Sequence, residues 1–218
     1  MGTKTSLKFD ELNRLDYRKY FGEMLISPKQ MRRRIALARD IEDVIFYLFA
    51  YWVISADAEI PTEEIKQDAK TRLTSVVEKH LKLDPYIEKH VGEVIDEVVD
   101  ATERHAEADY GYGYDDGGDD GSYWTSSERA TLISANEANA FENYGDYREA
   151  KAQGKTRKRW ITELDDRVRL THELVEGKTV DIDGLFLVGE SLMRFPKDGM
   201  YDPAPQEVIN CRCSVEYI

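Results

Sequence analysis

The residues of this 218-residue chain best suited to chemistry are its two cysteines, Cys211 and Cys213, and one of its four histidines, His172. Neutral imidazole and thiolate are ligands that zinc favours, usually four in a tetrahedron. His172, Cys211 and Cys213, with Asp165 or Asp198 as a fourth ligand, therefore form a candidate structural zinc site. The plain alternative is a buried, hydrogen-bonded His172 packed beside two small apolar thiols. A third reading makes a thiol the nucleophile and His172 its base, with Asp165 orienting the imidazole. A disulfide between cysteines one residue apart is strained, and the lack of a disulfide framework fits a reducing compartment. Arg167 and Arg169 with Asp165 and Glu207 read as an ion-pair network, since the planar guanidinium fork suits carboxylates. Contact with phosphate is the alternative. The sequence carries no Gly-rich phosphate loop, no Gly-x-Ser-x-Gly and no His-Glu-x2-His, which favours a non-enzymatic protein.

The net charge of -13 argues against broad binding to duplex DNA, because an acidic surface repels phosphate. Lys151, Lys155, Arg157, Lys158 and Arg159 are a local exception, read as a solvated loop or strand edge or as a nucleic-acid contact. The most apolar run, Val44 to Ile54, is shorter than the roughly 20 residues of a membrane span and reads as a buried helix. No secretory signal is expected, because polar residues follow Met1 where an apolar stretch would be needed. His80, His90 and His105 sit among charged neighbours and are read as surface residues.

These residues need a scaffold, and its first half reads as helices. Ser27-Pro28-Lys29-Gln30 has the form of a capping box and opens a helix from about Pro28 to Ile54. Pro61 and Thr62 open a second, with Ile65, Ala69, Leu73, Val76, Val77 and Leu81 at helical spacing. Asp84 and Pro85 open a third, which buries Ile87, Val91, Val94, Ile95 and Val98 and ends near His105. Residues 106–124 form an acidic Gly/Asp/Tyr linker, with six acids and no cation over 106–125. Its acids come in adjacent pairs, which is not the alternating pattern of a calcium loop.

Thr125-Ser126-Ser127-Glu128 is a second capping box, and a helix runs from it to about Tyr144, where Gly145 ends it. Later periods are shorter. A strand is expected over Arg157–Thr162, then a short helix capped by Asp165 and reaching Leu174. Strands follow over Thr179–Ile182, Leu185–Val188 and Ser191–Phe195, and a last one over Val208–Tyr217. In that last strand Cys211 and Cys213 would share a face. The fold class is α+β: a mainly helical region over 1–105, the linker over 106–124, and a small α+β module with short antiparallel strands over 125–218.

In order, the conspicuous residues of that module are Trp160, Asp165, Arg167, Arg169, His172, Gly177, Phe186, Pro196, Asp198, Pro205, Glu207, Asn210, Cys211 and Cys213. They read W-x4-D-x-R-x-R-x2-H, a glycine turn, a hairpin, F-P-x-D and P-x-E-x-I-N-C-R-C. The pattern resembles the Mu F-like phage head morphogenesis family, minor head proteins encoded beside the portal gene in many tailed phages. The resemblance covers roughly 128–215 and is strongest over Trp160–His172 and Asn210–Cys213. It departs at Lys197, where the family often has glycine, and at Ala135-Asn136-Glu137, where it often has a Thr-Glu pair. The resemblance implies a low-copy minor capsid protein of a tailed phage or prophage, made in the host cytoplasm and residing in the virion. Its partners would be the portal and the major capsid or scaffolding protein, with phage DNA met through Lys151–Arg159 and with ejection alongside DNA in some members. The Arg32–Arg34 face and the Val44–Ile54 helix are the expected contact surfaces. Some relatives carry a toxin domain after the module, often an ADP-ribosyltransferase; none is expected in the five residues that follow Cys213. The alternatives are an enzyme built on His172 with Cys211 or Cys213, and a host-encoded adaptor that reuses the module.

Overall fold

Local capping chemistry sets where the helices begin. The computed structural model describes residues 15–58, 60–108 and 122–218, so most of the expected linker over 106–124 lies outside the described residues. Helix α1 spans Tyr17–Gly22, α2 Pro28–Ala58, α3 Thr62–His80 and α4 Pro85–Ala108. The α2 box forms as expected: Ser27 N–H donates to Gln30 Oε1 at 2.9 Å, and Gln30 N–H to Ser27 Oγ at 3.3 Å. Asp84 Oδ1 caps α4 by accepting from the Tyr86 and Ile87 amides. Among the described residues no helix is long and apolar enough to cross a membrane.

After a short 3-10 turn at Ser122–Thr125, α5 runs over Ser127–Ala152, with Ser126 Oγ accepting from Arg129 N–H. The expected stop at Gly145 is overturned. A mid-helix glycine costs only about 1 kcal/mol against alanine, and α5 buries Phe141, Tyr144, Tyr147 and Ala150 on either side of it. The stop lies at Gly154, φ +76°, where Lys155 N–H reaches Ala150 O and Gly154 N–H reaches Lys151 O, the paired bonds of a Schellman cap.

The strands follow: β1 Arg157–Ile161, helix α6 Leu170–Glu173, β2 Thr179–Asp181, β3 Phe186–Val188, β4 Ser191–Met193, helix α7 Pro205–Val208 and β5 Ser214–Tyr217. Sheet order is β2-β1-β5, all antiparallel, with Lys158 opposite Val180 on one side and Tyr217 on the other. Strands β3 and β4 form a separate hairpin. The class is α+β, mainly helical at first and with short antiparallel strands later, as the sequence indicated. The last strand is shorter than expected, because Pro205 starts a helical turn within what read as its approach. The helix predicted from Asp165 is reduced to α6, preceded by Arg169 with no side-chain cap.

The chain divides into two units, and both α2 and α5 contribute to each. One contains Leu37–Ser134. Its core combines Ile41, Ile45 and Phe49 of α2 with Leu73 and Val77 of α3 and Ile87, Ile95 and Val99 of α4, all buried. The apolar run of α2 is thus enclosed on one side, while Ile54 at its end is exposed. His80 is not a free surface residue, since its Nε2 lies 2.8 Å from Asp40.

The other unit contains Asp16–Ala36 and Ala135–Ile218. Its core is Trp160, Val175, Phe186, Val188, Met193, Cys211 and Cys213. The start of α2 is tied to α5 by arginines that the sequence suggested were a contact face. Arg34 is fully buried and donates to Asn139 Oδ1 (2.9 Å), Asn143 Oδ1 (2.8 Å) and Asp146 Oδ2 (3.0 Å). Arg33 pairs with Glu142, Asp146 and Glu149. Arg34 is internal and Arg33 half-buried because α5 offers acids and amides along one face; Arg32 is the exposed member of the trio.

Candidate functional site

The sequence separates His172 from Cys211 and Cys213 by about forty residues, and the fold brings them together. His172 sits on α6, buried against the edge of the Trp160 ring. Its Nδ1 lies 3.2 Å from Cys213 Sγ and 3.6 Å from Cys211 Sγ. One ligand atom from each of the three lies within 4.8 Å of the others, and all three residues are buried.

Asn210 explains the turn into the cysteines. Its φ of +54° is left-handed, a conformation asparagine tolerates better than most residues. Extended backbone then alternates the side chains. Both thiols face His172, while Arg212 between them reaches Asp165 at 2.7 and 2.8 Å. The cysteines share a face as expected, but they precede β5 rather than lying in it.

On the far side of the ring, Nε2–H donates to the Glu207 carboxylate at Oε2, 3.0 Å away. Glu207, on α7, is steadied by the Thr171 hydroxyl at 2.8 Å. Gly189, in the β3–β4 turn at φ +60°, makes room for it: a Cβ there would lie 2.7 Å from Glu207 Oε1. Glu207 was expected in an arginine network, and it instead orients His172, the part expected of Asp165. Neither Asp165 nor Asp198 joins the cluster as a fourth ligand. Asp165 is held by Arg212, and Asp198 is taken up by Arg194 at 2.7 and 3.0 Å and by the Met200 amide. Arg167 pairs with Glu23, and Arg169 donates to Ile209 O.

The electrostatics follow from burial and contact. Burial pulls the His172 imidazole down, but its bonds to Cys211 and Glu207 outweigh this and leave it raised. The Cys213 thiol donates to Cys211, which holds Cys211 well below the usual thiol range and pushes Cys213 up. One thiolate beside an imidazole can hold a metal ion or act as a nucleophile.

A stripe on α5, unsuspected from the sequence, anchors the loops around the site. Asn136 Oδ1 accepts from Asn210 N–H, Asn139 Nδ2 donates to Cys211 O at 3.1 Å, and Asn143 Nδ2 donates to Pro196 O at 2.9 Å. The i, i+3, i+7 spacing of three asparagines among alanines was the available signal. Lys197 explains one departure from the family pattern: its φ of +67° is a conformation that suits glycine. Its buried amine bonds to Asn136 Oδ1 and Val208 O. The basic stretch after α5 is largely satisfied internally. Lys158 is buried on Ile182 O, Lys151 pairs with Asp183 and Arg159 with Glu216.

Comparison with known proteins gives a consistent result. The family described as Phage Mu protein F like protein matches residues 91–216, more than half of the chain and inclusive of the whole site. The NAD(+)--arginine ADP-ribosyltransferase EFV of Enterococcus faecalis (strain ATCC 700802 / V583) is 36% identical over 69 residues. That match covers 31% of this chain and 14% of the transferase, so the chain spans a small part of that relative's length. No solved structure matches.

Proposed function

This chain belongs to the Phage Mu protein F like family, and from that premise we propose that it is a minor head protein of a tailed bacteriophage or prophage. It serves head morphogenesis by contact with the portal and with the major capsid or scaffolding protein, and it resides in the virion. The observation that carries this reading is the family match over 91–216, which contains both motif blocks, Trp160–His172 and Asn210–Cys213. The blocks converge on a buried cluster within the core of one unit, which suits a module whose motif residues hold a shape. The arginines at 33 and 34 are committed to that unit, so the contact surface is sought elsewhere, at Arg32 and at the exposed end of α2 around Ile54.

An enzyme is the second reading, and one observation favours it: Cys213, His172 and Glu207 align as nucleophile, base and orienting carboxylate. Burial of both thiols opposes it, because a nucleophile must meet its substrate. In-frame deletion of the gene from the phage or prophage that carries it tests the first reading. Fewer or malformed heads, restored by supplying the full chain in trans, are expected. Normal heads and normal titre would refute it.

A further inference from the structure

We propose that His172 Nδ1, Cys211 Sγ and Cys213 Sγ bind one zinc ion, with Glu207 fixing the imidazole from its far side. Four observations converge on this assignment. The first is distance. Zinc holds imidazole nitrogen at about 2.0–2.1 Å and thiolate at about 2.3 Å, so a tetrahedral ion sets N and S about 3.6 Å apart. The structure has 3.2 and 3.6 Å. The second is the tautomer. Glu207 accepts from Nε2–H, which leaves the Nδ1 lone pair directed at the two sulfurs. A carboxylate on the second ring nitrogen is the usual partner of a metal-bound histidine.

The third is the investment in Glu207. A buried carboxylate on α7, a threonine hydroxyl and a glycine at positive φ all combine to place one oxygen behind the ring. A histidine that merely packed beside two thiols would need none of this. The fourth is the Trp160 indole N–H, which is buried without a hydrogen-bond partner in the same core cluster as both sulfurs and is a spare donor for them. Two thiolates neutralise a divalent cation, so the loaded cluster carries no net charge of its own into the core. Thiolate ligands also favour zinc over the hard cations magnesium and calcium.

Among the described residues no carboxylate shares the 4.8 Å group with these three. The fourth position therefore falls to water, from the cleft that Glu163, Arg167 and Asn210 line beside the cluster. The ion would join α6 to the segment before β5, a cross-link over about forty residues in a module with a small core. This inference does not depend on the head-protein reading.

The test uses the full chain. Metal content is measured by elemental analysis after dialysis, zinc is replaced by cobalt, and affinity is read by competition with a chromophoric chelator. One zinc per chain is expected, together with cobalt d–d bands of tetrahedral shape and a thiolate-to-cobalt charge-transfer band. The paired substitution Cys211→Ser and Cys213→Ser should abolish both. Glu207→Gln, which keeps the ligands and the fold, should weaken zinc binding about 10- to 100-fold. A metal-free protein that develops no thiolate band with cobalt would overturn the proposal. So would zinc retained without the two cysteines, or unchanged affinity in Glu207→Gln.

Discussion

Arg34→Ala removes the cation that ties α2 to α5, and its cost can be worked out from the contacts. Arg34 is fully buried, and its guanidinium serves Asn139, Asn143 and Asp146. Asp146 keeps Arg33 and Gln30 when Arg34 goes, so its charge is not stranded. The two asparagine oxygens each lose a buried donor, at about 1–3 kcal/mol apiece. Together they come to about 2–6 kcal/mol. For a chain of this length each kcal/mol moves Tm by about 2–4 °C, so a fall of roughly 4–24 °C is expected. Urea unfolding followed by circular dichroism gives the free energy directly. Arg32→Ala is the internal control: the residue is exposed, and a change within about 0.5 kcal/mol is expected. Equal stability of Arg34→Ala and the parent would refute the reasoning. So would an Arg32→Ala variant as damaged as Arg34→Ala.

Further substitutions test the site and its surroundings. Gly189→Ala places a Cβ against Glu207 and forces alanine into a left-handed backbone. A loss of about 1–3 kcal/mol is expected, with a shifted His172 imidazole signal by NMR; an unperturbed His172 would contradict the packing argument. Asp165→Asn and Asp198→Asn should leave bound zinc unchanged by elemental analysis, since their partners are Arg212 and Arg194; loss of zinc would return that carboxylate to the ligand set. Lys158 is lowered from its ordinary 10.5 to about 8, first by burial and then by Arg194, against the pull of Asp183 and Asp198, with Lys151 adding to the lowering. Between these values the unfolded chain binds the extra proton, so stability falls as pH drops from about 10.5 to about 8, with no further change from this group below that. Lys158→Met should therefore gain stability relative to the parent at pH 8 and lose that advantage by pH 10. Parallel pH profiles for the two proteins would refute the assignment.

The parts of the fold legible in the sequence were those decided locally. The capping groups at Ser27 and Asp84 announce their helices, the box at Thr125 announces α5 although Ser126 is the residue that caps it, and the shorter period after α5 announces β1. The parts that were not legible depend on distant contacts. Gly145 looked like a helix end, yet burial of the residues around it carries α5 on to Gly154. Arg33 and Arg34 looked like part of a partner-contact face because the acids and amides that receive them lie more than a hundred residues away. At the site, His172, Cys211 and Cys213 were identifiable by type, but their partner was not. Nothing in the spacing distinguishes Glu207 from Asp165 or Asp198, and only the fold shows which carboxylates the arginines already hold.

The central claim is that this chain is a component of a phage head. Mass spectrometry of gradient-purified procapsids and virions, from the phage or induced prophage that encodes it, tests that claim most directly. The account predicts that its peptides co-sediment with particles at low copy relative to the major capsid protein. A chain plentiful in the lysate but absent from both kinds of particle would contradict it.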